Sequence, residues 1–153
     1  MKNQRMLDEL TELMRIDVSS GQETEIAEHL VKKLEQMGFA ITRDEAGATF
    51  GGMCGNILAV REGERDGVVC FCSHMDRVPG GIGIKPVEED GILRSSGDTI
   101  LAADDLSGVA AILEGVRQAI ESGKALPKLE ILFTVGEEAG LYGAKAFDVS
   151  LLT

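Results

Sequence analysis

Leu129-Glu130-Ile131-Leu132-Phe133-Thr134-Val135-Gly136-Glu137-Glu138 is the stretch on which the fold turns. Leu129 to Val135 has the length and apolar character of a buried strand, and it runs into a glycine and two adjacent carboxylates. A helical pattern precedes it: Val109, Ile112, Leu113, Val116 and Ile120 recur on one face, Gly123 ends the helix and Pro127 follows. Further back, Val68 to Ser73 is a second continuous apolar run, the signature of a central strand covered on both faces, and it ends at His74-Met75-Asp76. Strand, helix and strand in this order predict an α/β sheet whose polar residues gather in a crevice at the strand ends.

The flanking segments complete the pattern. Met6, Leu7, Leu10, Leu13 and Met14 give a first amphipathic helix. Ser20-Gly21-Gln22-Glu23 has the form of a capping box, opening a second helix with Ile26, Leu30, Leu34 and Met37 as its apolar stripe and Gly38 as its stop. His29 sits beside that stripe among Glu28, Lys32 and Lys33, and is expected to be a solvated helix residue. Phe39 to Thr42 and Asn56 to Val60 are expected strands around a Gly-rich turn, Gly47 to Gly55, which lacks the Lys-Ser or Lys-Thr of a phosphate loop. Asp90-Gly91 marks a hairpin between Lys85 to Glu88 and Ile92 to Arg94, and a short helix should begin near Tyr142. The expectation is one domain, α/β, with a mixed, mainly parallel sheet flanked by helices.

Composition narrows the function classes. A formal net charge of -11 repels nucleic acid and anionic membranes, so neither is an expected partner. No apolar run approaches the roughly 20 residues needed to span a bilayer. Met1-Lys2-Asn3-Gln4-Arg5 leads into an amphipathic pattern rather than a signal-peptide core, so a cytoplasmic location is expected. Cys54, Cys70 and Cys72 are an odd number and suggest no disulfide framework. Cys70, Cys72 and His74 alternate along one strand, and parallel side chains cannot converge on a tetrahedral ion, so buried core thiols are expected instead.

Three clusters carry the chemistry: His74 with Asp76, Asp104 with Asp105, and Glu137 with Glu138. A metal-bound imidazole needs an acceptor on its other ring nitrogen, and Asp76 is placed to supply it. Asp105 stands where a loop enters a helix and suits an N-cap, whereas Asp104 precedes the cap and should face the crevice. Glu137 and Glu138 lie between Gly136 and Gly140, beyond a buried strand, which argues for a fixed position.

Ser73-His74-Met75-Asp76, Gly97-Asp98-Thr99-Ile100-Leu101-Ala102-Ala103-Asp104-Asp105 and Thr134-Val135-Gly136-Glu137-Glu138 together resemble the co-catalytic zinc metallopeptidase family. That family includes peptidase T, carboxypeptidase G and succinyl-diaminopimelate desuccinylase. The likeness runs from about Met6 to Phe147 and leans to the peptidase T branch. It implies that Asp104 bridges two zinc ions, that His74 and Glu138 each hold one of them, and that Glu137 is the general base. Manganese or cobalt also suits such oxygen–nitrogen sites. The implied reaction is hydrolysis of short peptides by metal-activated water, with deacylation of N-acyl amino acids as the alternative within the same fold.

The resemblance also implies parts that this sequence does not contain. The family has a further carboxylate ligand after the Glu-Glu pair and a His ligand near its carboxyl terminus. It also has a lid or dimerisation domain, through which a homodimer would form. Residues 1–153 are therefore expected to be the amino-terminal part of a catalytic domain, with two protein ligands per ion and little or no activity in isolation. A non-catalytic fragment that binds metal weakly is the third reading.

Overall fold

A computed structural model describes residues 4–153. Two helices, α1 (Gln4–Met14) and α2 (Thr24–Gln36), lead into β1 (Ala40–Arg43), a 3₁₀ turn at Ala46–Thr49, and β2 (Ile57–Arg61). There follow β3 (Val68–His74), the hairpin β4 (Pro86–Glu89) and β5 (Ile92–Ser95), α3 (Ala103–Glu121), β6 (Lys128–Thr134), α4 (Tyr142–Ala146) and a closing 3₁₀ turn at Val149–Leu151. The expected element order is present throughout.

The main sheet has the order β1-β2-β6-β3, with helices packed on it, and it is mixed as expected. Its parallel share is smaller than the sequence suggested: β3 and β6 are parallel, while β1–β2 and β2–β6 are antiparallel. The reason lies in the connections. A crossover long enough to return the chain in the same direction exists only between β3 and β6, through α3, whereas the turn after β1 brings β2 straight back.

Apolar runs correctly located both inner strands of the pattern but not their rank. β6 pairs on both sides and is buried along nearly its whole length. β3 is an edge strand, with β6 as its one neighbour among the described residues and with Val68 and Val69 exposed. A continuous apolar run shows that a strand can be covered, and says nothing about which strands pair with it. The same edge position leaves Cys70 and Cys72 exposed rather than in the core, while Cys54, before β2, is part-buried against it.

The core lies between the helices and the sheet. Leu13 and Met14 of α1, Ile26, Leu30 and Leu34 of α2, and Leu106, Val109 and Leu113 of α3 meet Ile57, Ile131 and Phe133 of the sheet. Each such side chain contributes about 1.5–3 kcal/mol through removal from water. The β4–β5 hairpin forms a separate two-stranded sheet. Asp90 and Gly91 have φ of 52° and 74°, the left-handed pair that a two-residue type I′ turn requires.

Two local expectations are corrected. The capping box is not formed: Glu23 is the residue before α2 but makes no side-chain cap, and the Ser20 and Glu23 side chains bond to the sheet end instead. His29 is half-buried in the seam between α1 and α2 rather than solvated, with Nε2 3.8 Å from Glu9 Oε1. No described helix is long and apolar enough to cross a membrane.

Candidate metal centre

β3 and β6 run in parallel register, with His74 opposite Thr134, so both strands stop at the same level. The chain leaves β3 through His74 and Asp76, enters α3 past Asp104 and leaves β6 through Gly136, Glu137 and Glu138. Parallel pairing therefore brings all three clusters to one edge of the sheet.

The side chains converge there. Single ligand atoms of His74, Asp104 and Glu138 all lie within 4.8 Å of one another. His74 Nε2 is 3.2 Å from Asp104 Oδ1 and 3.9 Å from Glu137 Oε2. Its Nδ1 faces Asp76, at 3.1 Å from the backbone oxygen and 3.4 Å from Oδ1. The His74 side chain is 11% exposed, whereas that of Asp104 is 85% exposed and open to a ligand. Glu137, 34% exposed, is more open than His74 and stands beside the same space.

Asp104 and Asp105 divide their work through the backbone. Both depart from helical φ/ψ, so regular helix starts at Leu106. Asp105 is the N-cap that its position suggested: Gly108 N donates to Oδ1 at 3.1 Å. Ser73 Oγ donates to the other carboxylate oxygen at 2.7 Å, tying the start of α3 to the end of β3.

The turn after β6 is held by side chains from elsewhere in the chain. Val135 N donates to Asn56 Oδ1 at 3.1 Å, and Gly136 N to Glu23 Oε1 at 3.0 Å. Glu137 N and Glu138 N donate to Asp76 Oδ1 and Oδ2 at 2.9 and 3.1 Å. Ser20 Oγ donates to Asp76 Oδ2 at 2.5 Å. Gly136 has φ of 59°, and a Cβ there would lie 2.6 Å from the Phe50 ring, so any larger residue would be strained and would have to displace that ring. Asn56, Ser20 and Glu23 escaped the sequence reading. Ser20 and Glu23 were noticed, but as a helix cap.

Charge is strongly unbalanced at the site. Burial alone would push the His74 imidazole down, but Asp76, Asp104 and Glu137 outweigh it and raise its pKa to about 9. Burial likewise works to raise Asp76, yet hydrogen bonds from His74, Ser20 and the two Glu amides leave it lowered. Glu138 is raised, first by desolvation and then by the Glu137, Asp104 and Asp76 charges, against the pull of His74. Crowded carboxylates around one imidazole form a site that is short of positive charge. An imidazole nitrogen and two carboxylates, with the second ring nitrogen already held, fit a divalent metal.

A second group, Glu9, Glu12 and His29, also brings ligand atoms within 4.8 Å of one another. Lys33 Nζ already lies between the two carboxylates there, 3.0 Å from Glu9 Oε1 and 2.9 Å from Glu12 Oε2. That group is an ion-pair network, and its charge is balanced without a metal.

Known proteins match both the sequence and the fold. The profile of peptidase family M28 matches residues 56–149. The uncharacterized protein YqjE of Bacillus subtilis is 38% identical over 154 residues, covering 100% of this chain and 42% of that protein. The aminopeptidase PepT of Bacillus cereus superposes with a TM-score of 0.95 at 38% identity, covering 99% of this chain and 41% of that one. A tripeptidase of Staphylococcus aureus gives a TM-score of 0.92 at 35% identity, covering 99% of this chain and 41% of that one. The chain thus spans about two fifths of the length of each of these relatives.

Proposed function

Because the chain belongs to peptidase family M28, a family of hydrolytic enzymes, we propose that it carries the metal-binding core of a peptidase T-like exopeptidase acting on short peptides. The observation that carries this reading is the convergence of His74 Nε2 and the Asp104 and Glu138 carboxylates at one sheet edge, with Glu137 alongside. The relatives at 38% and 35% identity named as an aminopeptidase and a tripeptidase support the substrate class.

In this reading His74 and Asp104 would hold one zinc ion, Asp104 and Glu138 the other, and Asp76 would orient His74 through Nδ1. Bound zinc would polarise the scissile carbonyl and make water a nucleophile near neutral pH. Glu137 accepts the proton of the attacking water and delivers it to the leaving amine. Asp104 would be the carboxylate shared between the two ions, as the resemblance to the co-catalytic zinc metallopeptidases implies. Two protein ligands per ion is one fewer than a catalytic zinc usually has, so residues 1–153 alone should bind zinc weakly and turn over little.

The test compares the 153-residue chain with a version extended by its natural downstream sequence, both with zinc, on a free tripeptide and on an N-acetyl amino acid. We expect the extended protein to cleave the tripeptide and the short chain to show negligible activity. Hydrolysis of the N-acetyl amino acid alone would replace the peptidase by a deacylase, and no turnover of either would leave a metal-binding fragment.

A further inference from the structure

We infer that Ser20 and Glu23, on the loop before α2, are positioning residues that fix the Glu137–Glu138 pair at the metal centre. The inference rests on the metallopeptidase reading for its functional meaning, but its structural content is independent of it. Four consecutive amides, Val135 to Glu138, each donate to a side-chain oxygen from outside the turn. Three of the acceptors are carboxylate oxygens and the fourth is the Asn56 side-chain oxygen, so the backbone donors of the turn are all satisfied by side chains. Asp76 takes two of the four amides and Glu23 one; both acids are 0% exposed.

Neither acid is held by chance. Glu23 Oε1 accepts from Gly21 N at 2.9 Å as well as from Gly136 N, so it bridges its own loop to the turn. Ser20 Oγ completes the Asp76 carboxylate from the same loop. Ser20-Gly21-Gln22-Glu23 is therefore a latch from one end of the chain to the other, with 113 residues separating Glu23 from Gly136. Glu137 and Glu138 face one space only while their backbone is held, and two neighbouring acids left free would repel one another out of it. Side chains that orient metal ligands from behind commonly control affinity by about 10–100-fold when removed.

Glu23 acts by accepting hydrogen bonds, and its Oε2 has no hydrogen-bond partner. Glu23→Gln can therefore keep the accepting oxygen and place its amide nitrogen where nothing was bonded. Glu23→Ala removes the acceptor, and Ser20→Ala removes the donor to Asp76. Glu28→Ala, an exposed position on α2, serves as control.

Amide hydrogen exchange and zinc titration calorimetry on the chain read the result. In Glu23→Ala we expect exchange at Gly136 to Glu138 to accelerate at least about tenfold, and zinc affinity to fall about 10–100-fold. Glu23→Gln should restore both to within about threefold, because it keeps the acceptor. If Glu23→Ala does not fold, Glu23→Gln must keep protection while Ser20→Ala loses it at Glu138. Unchanged exchange in Glu23→Ala, or a Glu23→Gln protein as impaired as Glu23→Ala, would overturn the inference. Should the 153-residue chain bind zinc too weakly to titrate, exchange alone decides whether the latch exists, and the metallopeptidase reading is tested separately on the extended protein.

Discussion

Glu137 and Glu138 are adjacent, and the structure gives them different surroundings through one carboxylate. Both amides bond to Asp76, which fixes the backbone between them, with Glu138 grouped with His74 and Asp104 and Glu137 Oε2 3.9 Å from His74 Nε2. On the proposed roles, losing a base and losing a ligand should have separable effects. Glu137→Ala in the extended protein should lower turnover by at least about 100-fold while leaving most zinc bound, since it removes proton transfer and no ligand. His74→Ala and Asp104→Ala should lose zinc as well as turnover. Metal analysis beside steady-state kinetics checks this, and equal loss of zinc in all three variants would refute the division of roles. The acids and the imidazole were legible in the sequence because few residue types suit a metal site, and they stood at two strand ends and one helix start. Ser20, Glu23 and Asn56 were not, because a hydrogen bond spanning 113 residues leaves no local pattern, and Ser-Gly-x-Glu looks the same as a helix cap.

The helices that back the sheet are joined by charge as well as by their apolar stripes. Glu9 of α1 receives Lys33 of α2 at 3.0 Å and Arg117 of α3 at 3.0 Å, while Arg117 and Arg5 also meet Glu114. Burial would raise the Glu9 carboxyl, but the facing His29, Arg117 and Lys33 side chains bring it from 4.5 to about 2. His29 stands at 3.8 Å, beyond hydrogen-bond reach, so the lowering that Arg117 and Lys33 supply is smaller than the full shift. A depressed folded-state pKa adds stability above pH 4.5 that is lost as pH falls toward 2. The full shift would be worth about 3 kcal/mol, which is the upper bound once His29 is discounted. Glu9→Gln should therefore lower urea stability by up to that amount at pH 7 and flatten the loss between pH 4.5 and 2. Equal slopes in wild type and variant would show that Glu9 is not the group responsible. Periodicity revealed these helices readily, since their stripes are local. It could not reveal that polar Glu9 is buried, because the partners that permit this come from two other helices. The rank of β3 was hidden for the same reason: pairing order is a property of the sheet, and a single strand's sequence carries only its capacity for burial.

Taken whole, the chain sets a strong self-repulsion against an open sheet edge. β3 offers seven residues, Val68–His74, with β6 on one side and no second strand among the described residues. Val68 and Val69 are exposed along it, as are Cys70 and Cys72. An unpaired apolar edge is a template for another strand, and natural edges are usually blunted by lysine, proline or a bulge. β3 has none of the charged or proline devices: its sequence is Val-Val-Cys-Phe-Cys-Ser-His. A formal charge of -11 opposes association, but over distances that salt shortens to about 3 Å at 1 M. The isolated 153-residue chain should therefore self-associate, and more strongly as salt rises, the reverse of an association held by ion pairs. Val69→Lys should shift it toward monomer with little change in melting temperature, since that side chain is exposed and lies outside the core clusters. Sedimentation velocity across protein and salt concentrations, under reducing conditions to exclude disulfide linkage through Cys70 and Cys72, measures both effects. A monodisperse monomer at every concentration would mean that charge alone protects the edge. Association that weakened with salt would place the contact elsewhere, on a charged surface.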